Sequence, residues 1–245
     1  MLKKILTILA IISLWQLIYF IFPADHYVIP SPVEIGGTFY EVLMSKEIFF
    51  HTLASFSRVV VGFFIAAIVG IGLALLFGYY RTVGEYFRPI VEILRPIPPI
   101  AWIPIAILIF GLGNASAYFI VFLGAFFPIF TNTYFGVISL PKIYKNVASS
   151  FELGRFVFFR KILFKFSLPY IFTGLKIGIG MAWICVIAAE LIGAQSGLGY
   201  FIQLNRLMLQ TDKMLVGMIL IGIIGYFLNY LISTAEKTVV KWGTK

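Results

Sequence analysis

The sequence predicts an all-α protein, an integral membrane helical bundle of about six transmembrane helices. Three observations carry that reading. Hydrophobic residues make up 61% of the 245 and charged residues only 12%, against about half and about a quarter in soluble domains. Apolar runs near the roughly 20 residues needed to cross a bilayer recur along the chain. The basic residues lie between those runs, so the net charge of +9 reads as cytoplasmic membrane loops and not as a nucleic-acid surface. The length allows one or two domains, and no stretch resembles a second, soluble module.

Taken in order, the first run is 5–22, behind Lys3 and Lys4. It is long for the core of a secretory leader, and Phe22-Pro23-Ala24-Asp25 after it lacks a small-x-small cleavage site, so it is read as a retained first helix. The segment 23–56 follows. Within it, Ser31-Pro32-Val33-Glu34 has the form of a helix start, with Ser31 as N-cap, Pro32 at the first helical position and Glu34 closing a capping box. An amphipathic helix along the outer surface is expected there, which makes 1–56 one unit. The further spans are 57–78, 97–112, 116–138, 172–195 and 214–235. The span 97–112 holds Pro98, Pro99 and Pro104; each removes a helix hydrogen bond, which predicts a bent or broken helix.

Lys and Arg then set the orientation. With the N-terminus inside, Lys46, Arg58, Arg206 and Lys213 stand outside and the other fifteen of the 19 basic residues inside. Both termini are therefore expected on the cytoplasmic side, in a multi-pass protein of the cytoplasmic (inner) membrane.

Few side chains within the spans carry chemistry. Glu190 is the acidic residue well inside an apolar run; intramembrane acids are costly, and both a gate or pathway role and a structural ion pair remain open for it. Lys176, at the inner start of the same span, reads as a snorkelling cation. Gly174 and Gly178 allow close helix approach, either within the subunit or against a second copy. His26 and His51 are read as surface residues, since a metal pair needs further ligands nearby. Cys185 reads as a small buried residue, and Trp15, Trp102, Trp183 and Trp242 are too scattered for a stacking site. No cofactor or metal is expected.

The connection 139–171 is the most informative stretch, being too long for an ordinary turn. Ile143, Val147, Phe151, Phe156, Phe159, Ile162 and Phe166 are interleaved with basic residues, which predicts two short helices with one apolar and one cationic face. Periodicity alone allows a helix resting on anionic lipid as well as a docking element.

Asn146-Val147-Ala148-Ser149-Ser150-Phe151-Glu152, continuing through Gly154 and Arg155 to Leu168-Pro169, resembles the EAA loop of the permease subunits of binding-protein-dependent ABC importers. Anchored on Leu168-Pro169, Ala148 falls on the second Ala of that pattern, while Asn146 stands in place of its Glu and Glu152 in place of its Gly. Three further stretches, Arg95-Pro96-Ile97-Pro98-Pro99-Ile100-Ala101-Trp102, Gly124-Ala125-Phe126-Phe127-Pro128 through Asn132, and Ala189-Glu190-Leu191-Ile192-Gly193 with Ser196-Gly197-Leu198-Gly199, are similar to the nitrate, sulfonate and taurine branch. The resemblance implies an ABC importer type I permease core over 57–245. It also implies a cytoplasmic coupling loop at 139–171 formed by Asn146, Ala148, Phe151, Glu152, Gly154, Arg155, Phe156, Phe159, Leu168 and Pro169. Glu190, Trp102 and Asn132 become the expected pathway or gate residues. The partners so implied are cytoplasmic ABC ATPase subunits, an extracytoplasmic solute-binding protein and a second permease copy in a homodimer. A small anion is the implied cargo, a sulfonate, taurine, nitrate or bicarbonate, with thiamine-precursor or riboflavin types as neighbours.

Two other classes compete. A channel or secondary transporter would carry more ionisable groups within its spans or broken helices paired between repeats. A membrane enzyme would need a nucleophile–base set or metal ligands in mutual reach. The chain is also read as no ATPase: a P-loop needs Gly-Lys-Ser/Thr, and no Lys here follows a Gly.

Overall fold

The structure, a computed structural model, describes residues 2–21 and 30–241. His26, Trp242 and the Phe22–Asp25 stretch lie outside the described residues. Among those described there is helix and turn but no strand. α1 is Leu2–Ile21, α2 Pro32–Met44 and α3 Lys46–Tyr79. α4, Arg81–Leu94, is followed by a 3-10 turn at Pro99–Trp102 and by α5, Ile103–Phe110. α6 is Asn114–Ile138 and α7 Lys142–Ser150. α8, Arg155–Phe158, runs through a π-turn at Phe159–Leu163 into α9, Phe164–Gly193. α10, Leu198–Leu207, and α11, Thr211–Val239, complete the chain.

Four continuous helices are long and apolar enough to cross a bilayer: α3, α6, the run Arg155–Gly193, and α11. The pair α4 and Pro99–Phe110, bent by 85°, is long and apolar enough only when its two arms are taken together. The apolar part of α1, Leu9–Ile21, is shorter. The expected break in the proline-rich span is thus present, but its limits differ. Residues 81–94 are read from the sequence as an inner connection; they form the first arm of this bent pair. Phe87 stacks on Phe77 of α3 at 4.9 Å, and Val91 reaches the cluster of Ala74, Phe77 and Phe130. α4 therefore climbs along α3 away from the Tyr79 end instead of lying beyond it.

Two other boundaries need correction. The helix read as 57–78 begins at Lys46 and is 34 residues long, because the chain from α2 turns only at Ser45. The helix read as 172–195 extends back to Arg155, 39 residues in all, so Leu168 and Pro169 lie inside a helix and not at its entry. Pro169 has no N–H to offer the Lys165 carbonyl one turn back, and the Thr173 hydroxyl donates to the Pro169 carbonyl at 2.9 Å. The capping box at α2 is formed: Glu34 N–H donates to Ser31 Oγ (3.1 Å) and Ser31 N–H to Glu34 Oε2 (2.7 Å).

The core is the stack α3–α6–α9, with α6 in the middle. Its spacing is set by glycine. Gly62, Gly70 and Gly78 recur every eight residues on α3 and face Val121, Ile129 and Val137, which recur at the same interval on α6. A Cβ at those glycines would come within 2.6, 3.2 and 2.4 Å of the opposing side chains. The helix axes approach because one surface offers bare backbone and the other β-branched ridges. On the other side of α6, a Cβ on Gly174 or Gly178 would meet Ile129 at 3.0 and 2.9 Å. Their role is therefore packing within the subunit. Lys176, read as a snorkelling cation, instead pairs with Glu236 of α11 at 2.8 Å, because α11 brings a carboxylate within its reach. Cys185 is buried against Gly124.

Candidate functional site

At the end of the bundle where α3 and α6 finish, α7 and α8 form an elbow. α7 ends in a Schellman turn: Leu153 N–H donates to Ala148 O and Glu152 N–H to Ser149 O, both at 3.0 Å. That motif places residue 152 in the left-handed region, with φ of 51°, where glycine is the favoured occupant. Glu152 thus occupies a glycine-favouring turn.

The elbow has an inner and an outer side. Ala148 is 5% exposed and Leu163 is buried, so they hold the elbow to the bundle; Phe159 rests edge-on against Tyr79 of α3 at 5.8 Å. Phe151 (74% exposed) and Phe156 (72%) point away, together with Ile143 and Val147. Asn146, Glu152, Gly154 and Arg155 are exposed around them. Arg155 lines two adjoining hollows, one with Leu76, Tyr80 and Phe156 and one with Lys145 and Ala148. Leu168 and Pro169 are half-buried in α9, beyond the elbow. The outcome is a greasy knob of two phenylalanines in a basic collar.

The opposite end of the bundle holds a buried polar knot. Arg58 of α3 is 3% exposed and Glu190 of α9 1%. The Arg58 Nη1 donates to Glu190 Oε1 at 2.7 Å and to the Ser196 carbonyl, Nη2 to Ser196 Oγ at 2.8 Å, and Nε to Asn114 Oδ1 at 2.8 Å. The second carboxylate oxygen accepts from Ser55 Oγ at 2.8 Å and from Gly199 N–H at 3.0 Å. Ser55 in turn accepts from Leu198 N–H. Every charge is compensated, as a buried pair requires. The Ser196–Gly199 turn closes around the carboxylate, and the space permits only glycine: a Cβ on Gly197 (φ +112°) would sit 2.3 Å from Glu190 Cδ.

His51, read as a surface residue, is 6% exposed. Its Nδ1 accepts from Gly197 N–H at 3.1 Å and its ring lies against Tyr200 and Phe201. The early start of α3 brings it there. Arg58, counted from the sequence among outer loop cations, is instead the centre of this knot.

Of the three expected pathway residues, the structure brings none together. Glu190 is in the knot. Trp102 packs against Ile103, Ala106, Ile120 and Ala189. Asn132 lines a cavity of about 250 Å³ between the α4–α5 break, α6 and α9, together with Arg95, Pro99, Gly124, Thr131 and Met181. Arg95, which lines this cavity, is not among the residues singled out from the sequence, although Arg81, Glu85, Arg88, Glu92 and Arg95 repeat at helical spacing and mark one charged stripe along α4.

Residues 62–241 match the family described as binding-protein-dependent transport system inner membrane component. The chain is 36% identical over 221 residues to the nitrate import permease protein NrtB of Synechocystis, covering 86% of this chain and 80% of that protein. It is 32% identical over 246 residues to the putative aliphatic sulfonates transport permease protein SsuC of Bacillus subtilis, covering 98% and 87%. The bicarbonate transport system permease protein CmpB of Synechococcus elongatus is 35% identical over 199 residues, covering 81% and 72%. The fold of the present chain is shared with a chain of the inward-facing MetNI methionine ABC transporter, at a TM-score of 0.64 and 19% identity over 80% of this chain and 98% of that one. The glycine-spaced helical core, the elbow and these relatives together place the chain in the binding-protein-dependent transport family: it belongs to the ABC importer permeases.

Proposed function

We propose that this chain forms half of a translocation pathway for a small anion, driven by separate ATPase subunits that dock on the α7–α8 elbow. The observation that carries the reading is the exposed Phe151–Phe156 knob in its basic collar. An apolar knob of this size fits a groove, and the surrounding charge fixes register. The elbow end is the cytoplasmic end. Arg58 leaves the count of outer cations and Arg88 and Arg95 leave the inner one, and the inner excess of Lys and Arg persists. The opposite end, where α2 and α10 lie, receives solute from an extracytoplasmic binding protein.

One copy supplies too few spans to enclose a channel, and the cavity at Asn132 opens on a face of α6 and α9 that a second copy would close. A two-fold homodimer is the simplest closed arrangement. Nucleotide-driven closure of the two ATPases then moves the elbows, and with them the spans, as rigid bodies. The relatives named for nitrate, aliphatic sulfonates and bicarbonate support a small anion as cargo.

The test is reconstitution with the cognate ATPase subunit. Phe151→Glu places a charge in the docking groove and is expected to abolish copurification and transport-linked ATP hydrolysis while membrane insertion is retained. Unchanged copurification would remove the elbow from the coupling role.

A further inference from the structure

The stripe on α4 carries three cations and two acids, and they are not all spent on one another. Arg88 Nε donates to Glu92 Oε1 at 2.7 Å. The side chain of Arg95, one turn beyond Val91, has no hydrogen bond or ion pair among the described residues. Its position is not at the bundle end. Val91 already stands beside Phe130, and Arg95 lies in the cavity that runs from Asn132 to Gly124, near the middle of α6.

Three features of that cavity suit an anion. Among the residues that line it there is no acid, and Arg95 is its one charged group. Asn132 donates one amide hydrogen to the Pro128 carbonyl at 2.8 Å, which leaves its second N–H to offer. Arg95 and Thr131 also line the adjoining hollow that holds Arg88 and Glu92, so the two spaces meet at the guanidinium. The helix break at Pro96, Pro98 and Pro99 (85°) stops α4 at Arg95 and leaves its side chain at the junction. Arg95 is exposed in the single chain, and within a bilayer an unpaired cation is costly unless it serves a ligand or pathway. A planar guanidinium offers paired donors that match two oxygens of an oxyanion.

We infer that Arg95, with the Asn132 amide, forms a resting site on the pathway for a small oxyanion of single negative charge. The inference rests on the reading of the chain as an anion importer and adds to it a residue and a ligand geometry. The stripe from Arg81 to Glu92 is then the wetted wall that leads from the site to the elbow end.

The test uses the complete permease–ATPase complex in lipid nanodiscs without ATP. Thermal unfolding is followed against sodium nitrate, methanesulfonate or bicarbonate, with gluconate holding ionic strength constant. At least one of the three is expected to raise the wild-type midpoint saturably. Arg95→Gln is expected to raise the half-saturating concentration at least about tenfold, as removal of a charge-assisted bond does. Asn132→Leu should weaken it less, and Lys46→Gln, exposed at the far start of α3, should leave it unchanged. Equal anion dependence in wild type and Arg95→Gln, or no saturable shift with any of the three in wild type, overturns the site. Failure of the wild-type complex to assemble would instead overturn the importer reading, so the two failures are told apart.

Discussion

Arg58 and Glu190 are 132 residues apart in sequence and meet where a charge cannot be left alone. Arg58→Met or Glu190→Leu alone strands the other charge and is expected to cost about 3–5 kcal/mol. The double substitution is expected to recover most of that loss, and a double-mutant cycle of unfolding in detergent measures the coupling. Glu152 supports a second residue-scale prediction. Its φ of 51° favours glycine, so Glu152→Gly is expected to gain stability by about 0.5–1 kcal/mol, read as a raised unfolding midpoint; a lowered one would contradict the Schellman assignment. At this scale the sequence was legible in part. Glu190 stood out because acids are rare in apolar runs. Arg58 and His51 did not, since periodicity cannot tell a buried cation near a helix end from one in a loop.

At the scale of elements, the stack α3–α6–α9 depends on glycines that admit side chains from the facing helix. A Cβ on Gly124 would lie 2.5 Å from Cys185 Sγ. Gly124→Ala is therefore expected to destabilise by about 1–3 kcal/mol, and Cys185→Ala in the same chain to relieve part of it. Additive effects would show that α6 and α9 do not meet at this pair. The capping box at Ser31 and the break in the proline-rich span were readable because both rest on local chemistry. The start of α3, the fusion of α8 with α9 and the climb of α4 were not. A window of hydropathy weighs Arg88 and Glu92 as loop residues, whereas a charged stripe facing a cavity needs no lipid-compatible side chains.

For the whole molecule, the proposed function has force and solute entering at different ends. The elbow of α7 and α8 packs on α3 through Tyr79 and Phe159, and α3 carries Arg58 to the far knot, so one 34-residue helix spans both. On that proposal a rigid-body displacement of the elbow would be carried along it towards the Ser196–Gly199 turn. The most direct measurement is a cross-link. In a chain with Cys185→Ala and Phe151→Cys, a maleimide-based cross-linker applied to inverted membrane vesicles should join this protein to its ATPase subunit, and a membrane-impermeant maleimide should reach the same position only from the cytoplasmic face. Labelling from the outer face, or no joined product from vesicles that contain both proteins, would contradict the account.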